Sequence, residues 1–246
     1  MKALIDAENY LFPAAAASEY EVEWAPDDWT YLCRHGDAKA LFQDSIGKVR
    51  EVLPDHQIVL AFGQRFSFRY GVWPQYKAKR KGVRRPAGYL DLMKWAWHGA
   101  QARGWEVQTL SDVEADDVLG VFYEEGDVIV SIDKDMLTIP GLHLRDGEVR
   151  EVSRLEADRN FYGQVLTGDS TDGYPGCPGI GSVNAERLLA NCTTEVEMWQ
   201  AVLGAYQKKG FDESYAVTQA RCARILRAGE YDFAASTPLL WSPPVT

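Results

Sequence analysis

Eight carboxylates stand at positions where acids could do chemistry. Asp6 and Asp133 each follow a short apolar run, Ala3-Leu4-Ile5 in one case and Val128-Ile129-Val130-Ser131-Ile132 in the other. In open parallel sheets ligands bind beyond the carboxyl ends of the strands, so both acids would face one crevice. Asp135 lies two residues past Asp133, Glu114 with Asp116 and Asp117 opens an amphipathic stretch, and Asp169 and Asp172 follow a helical run ending near Thr167. Taken singly, each has an ordinary explanation as a helix cap, a turn former or a solvated loop residue. Gathered together, they would repel one another and raise one another's pKa unless cations compensated. Hard oxygen donors in this number suit Mg²⁺ or Mn²⁺, and two such ions about 3.5–4 Å apart form a device for in-line displacement at phosphorus. The chemistry implied is phosphodiester hydrolysis.

A net charge of −10 over 246 residues argues at first against a polyanionic partner. The charges are segregated, however: Lys77, Lys79, Arg80, Lys81, Arg84 and Arg85 crowd into the ten residues 76–85. Cations there would neutralise phosphates, and the aromatics before them, such as Trp73 and Tyr76, could stack on an unpaired base.

The elements that must position these groups follow from hydrophobic pattern. Ala3-Leu4-Ile5, Ile58 to Phe62 and Val128 to Ile132 read as buried strands, and residues 105–107 as a short one. Helices are expected over Ala38 to Val52, from after Pro86 to about Arg103, and over Val113 to Glu124, whereas Pro13 to Asp28 reads as loop. This alternation predicts an α/β fold with a largely parallel central sheet flanked by helices. From Arg154 the pattern becomes helical around a Gly/Pro-rich turn at Gly173 to Gly181, which places a lobe boundary near residue 150. Residues 1–150 would form an α/β core that includes the basic segment, and 151–246 a helical lobe. Cys33, Cys177, Cys192 and Cys222 lack paired spacing, which suggests neither a disulfide framework nor a zinc ribbon and fits a reducing, cytoplasmic setting. The four histidines show no ligand spacing, and neither a signal sequence nor a membrane-spanning run is evident.

Five ordered segments carry a resemblance to the bacteriophage 5′→3′ exonucleases of the flap-endonuclease superfamily, in their short-tailed-phage branch. They are Leu4-Ile5-Asp6, Tyr76 to Lys81, Glu114 to Gly120, Ser131 to Asp135, and Gly168 to Tyr174 with the turn after it. The tail from Ala223 to Trp241 is similar too. The resemblance implies a PIN-like 5′-nuclease fold: residues 1–150 as the nuclease core with a basic helical arch at about 66–90, through which single strands or ends pass, and 151–246 as a DNA-binding lobe with a helix-hairpin-helix-type element at Gly176 to Ala190. In that element Gly176, Gly179 and Gly181 would let the backbone approach a duplex phosphate, and a monovalent cation would sit at the turn. By the same resemblance, Asp6, Glu114 and Asp116 serve one metal, Asp135, Asp169 and Asp172 the other, and Asp133 lies near both. Asp117 would support the first through bound water. Lys77 and Arg80 match the catalytic basic pair, with Tyr76, Lys79, Lys81, Arg84 and Arg85 as further DNA contacts.

The implied activity is 5′→3′ hydrolysis of duplex DNA, with flap cleavage, in phage replication, DNA degradation and primer removal; RNA–DNA hybrids are further candidate substrates. One departure stands out. The family places another aspartate just after the second strand, where this chain has Gly63-Gln64, so the first metal would lose an outer carboxylate. Two rival readings are a haloacid-dehalogenase-type phosphatase, suggested by Asp6-Ala7-Glu8, and a non-catalytic DNA-binding protein on a decayed nuclease scaffold. The first has no use for the basic segment.

Overall fold

The computed structural model describes residues 1–64, 66–80 and 82–245. The N-terminal part runs β1 (Lys2–Asp6), α1 (Glu8–Ala17), β2 (Glu19–Ala25), β3 (Asp28–Cys33), α2 (His35–Val52), β4 (Gln57–Ala61), α3 (Arg69–Val72), α4 (Tyr89–Gly99), β5 (Glu106–Gln108), α5 (Ala115–Phe122), β6 (Val128–Val130), β7 (Gly141–Arg145) and β8 (Glu148–Val152). Helices α6 (Arg154–Thr167), α7 (Ser182–Leu189), α8 (Glu195–Lys208) and α9 (Glu213–Ala223) follow.

The main sheet has the order β5-β4-β1-β6-β7-β8, parallel throughout except that β8 returns antiparallel to β7. Its central strands are apolar because both faces are covered, as parallel sheets require. Ala3, Ile5, Ile58, Leu60, Val128 and Val130 pack on one side with Leu11, Phe42, Ile46 and Leu92 from α1, α2 and α4. Leu4, Val59, Ala61 and Ile129 pack on the other with Val118 and Leu119 from α5 and with Ile225 and Leu226, to which the chain returns after α9. Each such Leu or Ile contributes about 1.5–3 kcal/mol by leaving water. A separate core joins α6 to α9 around Phe161, Tyr162, Trp199, Tyr206 and Trp241, and it takes in Tyr76 from the basic segment.

Two expectations fail locally. The stretch from Pro13 to Asp28 is not loop: α1 continues through Pro13, and an antiparallel hairpin of β2 and β3 follows, pairing Glu19 with Cys33, Glu21 with Tyr31 and Glu23 with Trp29. Ala14 and Ala15 are buried, which lets α1 dock closely against α2 and α4 despite the hydrogen bond that Pro13 forfeits. The hairpin hides from pattern analysis because both its faces meet solvent, so apolar and polar residues need not alternate. Secondly, among the described residues of the segment expected as a helical arch, up to the start of α4 at Tyr89, there are only the four residues of α3 and a single 3₁₀ turn at Ala78–Arg80. Among the described residues, no helix is long and apolar enough to cross a membrane.

Candidate active site

Parallel register gathers the strand ends. Asp6 lies opposite Ala61, and Ile5 opposite Val130, so Asp6, Gly63 and the loop Ser131 to Asp135 emerge at one edge. Asp6 Oδ1 accepts the backbone N–H groups of Glu8 (3.1 Å) and Asn9 (3.4 Å) and thereby steers the chain into α1. The Asn9 side-chain amide donates to Ser131 Oγ at 2.8 Å, and that oxygen accepts the Asp133 N–H at 3.1 Å, tying the first strand end to the second. Asp133 in turn accepts the Asp135 N–H, and Gln164 from α6 donates to Asp135 Oδ1 at 2.6 Å. Burial, then the charges of Glu8 and Asp133, pushes the Asp6 carboxyl up to about 7. Asp135 is pushed up to about 6 by burial and by Asp133, Asp169 and Asp172.

A second group forms where the basic segment meets α5. The Tyr76 hydroxyl lies 2.7 Å from Glu114 Oε2 and 2.9 Å from Asp172 Oδ2. The Lys77 ammonium donates to Glu114 Oε1 and stands 3.7 Å from Asp172 Oδ2, while Arg80 donates to Asp172 Oδ1 at 2.9 Å. Lys77 reaches this position with a left-handed φ of 51°, uncommon for a lysine. The turn carrying Asp172 is shaped by Asp169, whose Oδ1 accepts the N–H groups of Thr171 and Asp172. Burial works to raise Glu114, but Lys77 and Arg69 hold it below its ordinary value. Asp116 is driven well up by burial and by its neighbours Asp117 and Glu114. Asp172 is raised by burial despite Lys77.

Four of the assigned residues do something other than what the sequence suggested. Asp117 is 0% exposed, and its carboxylate accepts both Arg69 Nη groups and the N–H groups of Glu114 and Leu226, so it anchors the fold instead of holding a metal's water. Tyr76, 2% exposed, cannot stack on a base. Gly176 is buried and gives its N–H to Gln219; its left-handed backbone packs against Gly168, where a Cβ on either glycine would strike the other's chain. Arg84 pairs with Glu19. Lys79 donates to the Ser170 carbonyl, Arg85 is exposed near the Tyr89 ring, Gly179 and Gly181 are exposed ahead of α7, and Lys81 lies outside the described residues.

Sequence reasoning missed Arg69. Buried at the start of α3, it donates to Asp117, Glu114 and Ser67 and to the carbonyls of Cys222 and Arg224. The only signal was an arginine set among Phe66, Phe68 and Tyr70, which reads equally well as part of the basic segment. Gly63 also gains a reason: a Cβ there would lie 2.7 Å from the Ala115 backbone nitrogen.

The donor set fits divalent cations in its chemistry, being oxygen-rich and carrying raised carboxyl pKa values that a nearby cation would relieve. It is not preassembled, since among the described residues no three of His, Cys, Asp and Glu stand close enough to hold one ion as they are. Lys77 already donates to one Glu114 oxygen.

Comparison with known proteins places the chain in a family. The exonuclease of Escherichia phage T7 is 28% identical over 98% of this chain and 93% of its own length. The exodeoxyribonuclease of Enterobacteria phage T3 is 29% identical over 98% and 92%. The fold matches the bacteriophage T5 D15 flap endonuclease, solved as a pseudo-enzyme–product complex with DNA and metal ions, at a TM-score of 0.62 and 15% identity over 88% of this chain and 86% of that one. The family described as 5′-3′ exonuclease, N-terminal resolvase-like domain, matches residues 2–158, and the chain belongs to it.

Proposed function

We infer that this chain is a metal-dependent 5′→3′ exodeoxyribonuclease that also cleaves 5′ flaps. The observation that carries the reading is the convergence of carboxylates from four separate segments at the carboxyl edge of the sheet, beneath a cationic segment anchored to two of them. Asp6, Glu114 and Asp116 would hold one Mg²⁺ and Asp135, Asp169 and Asp172 a second, with Asp133 between them. Such ions supply an activated water and stabilise the leaving oxygen. Lys77 and Arg80 exchange their carboxylate partners for the non-bridging oxygens of the scissile and adjacent phosphates, where neutralising charge counts most in the transition state. Asn9 and Ser131 keep the two strand ends in fixed relation, and Gln164 holds Asp135 toward the crevice.

In this reading residues 1–150 cut and 151–246 grip the duplex, with Gly179 and Gly181 presenting the N-terminal N–H groups of α7 to a phosphate and a monovalent cation at the turn sharing that contact. The substrate is duplex DNA with a 5′ end, an RNA–DNA hybrid or a 5′ flap, met in the host cytoplasm during phage replication. The test is digestion of 5′-labelled duplex DNA with Mg²⁺ and with EDTA. Release of label from the 5′ end in Mg²⁺ alone is expected; release of inorganic phosphate with the strand left intact, or no release at all, would refute the reading.

A further inference from the structure

The basic segment is pinned at both ends, and only one end belongs to the site. Its first end is held by Tyr76, Lys77 and Arg80 on Glu114 and Asp172. Its return end rests on the β2–β3 hairpin. Arg84 gives its two Nη groups to the two oxygens of Glu19 at 2.6 Å each, and the Ala87 N–H donates to the same carboxylate at 2.5 Å. The Arg84 guanidinium lies over the Tyr31 ring, 3.8 Å from its centroid. Two residues after Ala87, Tyr89 donates to Glu8, itself two residues beyond Asp6. Gly88 completes the fit: at a φ of +76° its missing Cβ leaves room for Cys33, whose Cβ would be 2.6 Å away.

An exposed ion pair is ordinarily worth little. This one has the features that raise its value: bidentate fork geometry, a third hydrogen bond to the same carboxylate, an aromatic face beneath the guanidinium, and a Glu19 side chain only 16% exposed against 51% for Arg84. The field around it points the same way. Residues 19–33 hold Glu19, Glu21, Glu23, Asp27 and Asp28 and not one Lys or Arg, so the hairpin repels phosphate and attracts a cation of the arch. An isolated two-stranded ribbon is marginal in water, and the contact with Arg84 steadies the hairpin in return.

We propose that Glu19 and Tyr31 form a latch on Arg84 that fixes the return leg of the basic segment, making Glu19 a positioning residue for the cations of that segment that meet a 5′ end. Arg84 then acts through the latch and not as a phosphate contact. The kinetic consequence rests on the nuclease reading given above, but the latch itself is measurable without substrate.

Hydrogen–deuterium exchange on the metal-free, DNA-free protein tests it. Glu19→Gln should speed exchange of the amides at 82–89 about tenfold or more, Tyr31→Ala should do so to a lesser degree, and Glu19→Arg combined with Arg84→Glu should restore protection. On a 5′-flap substrate Glu19→Gln should raise KM several-fold and change kcat by less than about twofold, the pattern of lost positioning. Unchanged exchange at 82–89 in both single variants would overturn the latch. So would tighter DNA binding by Glu19→Gln, which would mean that Arg84, once freed, meets phosphate. A wild-type protein inactive on every DNA substrate, with the exchange pattern as expected, would sink the nuclease reading and leave the latch standing.

Discussion

Arg69 and Asp117 form a bidentate pair, 2.7 Å at each contact, with side chains 1% and 0% exposed. The pair joins three parts of the molecule. Arg69 comes from α3 and Asp117 from α5, and Arg69 also donates to the Cys222 and Arg224 carbonyls at the end of α9. A further contact, Nη1 to Glu114 at 3.4 Å, reaches one of the proposed metal ligands.

Replacing Arg69 should therefore cost both stability and ion binding. Removing one partner of a buried pair leaves an uncompensated charge, and Arg69→Met should lose roughly 3–5 kcal/mol in urea unfolding. Arg69→Met with Asp117→Leu should recover much of that loss, because no charge is then stranded, yet should still bind Mg²⁺ weakly since Glu114 is left unsupported. A single variant as stable as wild type would remove Arg69 from its supporting role.

Lys77 holds the Glu114 carboxylate that the proposed first ion would bind. Lys77→Ala should therefore bind the first Mg²⁺ more tightly in the absence of DNA, seen by calorimetry, while cleavage slows by about 10²-fold or more through lost phosphate stabilisation. If affinity for the ion and cleavage rate fall together, the ammonium helps build the site and is not a rival occupant.

The raised carboxyls give the metal-free protein a pH signature. Asp6 and Asp135, with ordinary values of 3.8, titrate near 7 and 6 in the folded chain, which therefore holds protons that the unfolded chain has released. That contribution is fully present below about pH 4 and is lost as pH rises through 6 and then 7. Thermal unfolding of metal-free protein should fall by several degrees between pH 5 and pH 8, at roughly 2–4 °C per kcal/mol for a chain of this size. Mg²⁺ at pH 8 should restore it, and Asp6→Asn should flatten the slope above pH 6. A slope unchanged in Asp6→Asn would place the titrating group elsewhere.

The missing carboxylate after β4 can be restored at one position and not at the other. Gly63→Asp drives a Cβ to within 2.7 Å of the Ala115 nitrogen, and α5 would have to move, so it should lower stability by about 1–3 kcal/mol. Gln64 is exposed, and Gln64→Asp should fold normally and shift the Mg²⁺ titration of cleavage to lower concentration, up to about tenfold as outer carboxylates do. An unaltered titration would mean that the position faces away from the ions or that Glu8 already fills the role.

Much of this was legible in the chain itself. The apolar runs before Asp6 and Asp133 announced buried parallel strands, and parallel strands bring their carboxyl ends to one edge whatever the rest of the fold does. What stayed hidden depends on partners distant in sequence. Asp117 is identical in type to Asp116 beside it, and only Arg69 and the Leu226 N–H, 109 residues on, separate an anchor from a candidate ligand. Gly176 resembled an exposed phosphate-binding glycine because Gly168, its packing partner, belongs to another motif. The hairpin went unread because a ribbon wet on both sides has no inside to encode.

The return of the chain beneath the sheet has a bearing on when the protein becomes itself. Leu226 donates to Asp117, its carbonyl sits where a Cβ on Gly120 would otherwise project, and Ile225 and Leu226 cover one sheet face. A nascent chain that has reached residue 200 has already made all eight acids and the whole cationic segment. It still lacks both carbonyls to which Arg69 donates, those of Cys222 and Arg224, and the Leu226 amide that completes Asp117. A fragment that stops at residue 200 therefore carries the acids and the cations without the contacts from residues 222–226 that hold Arg69 and Asp117 in place.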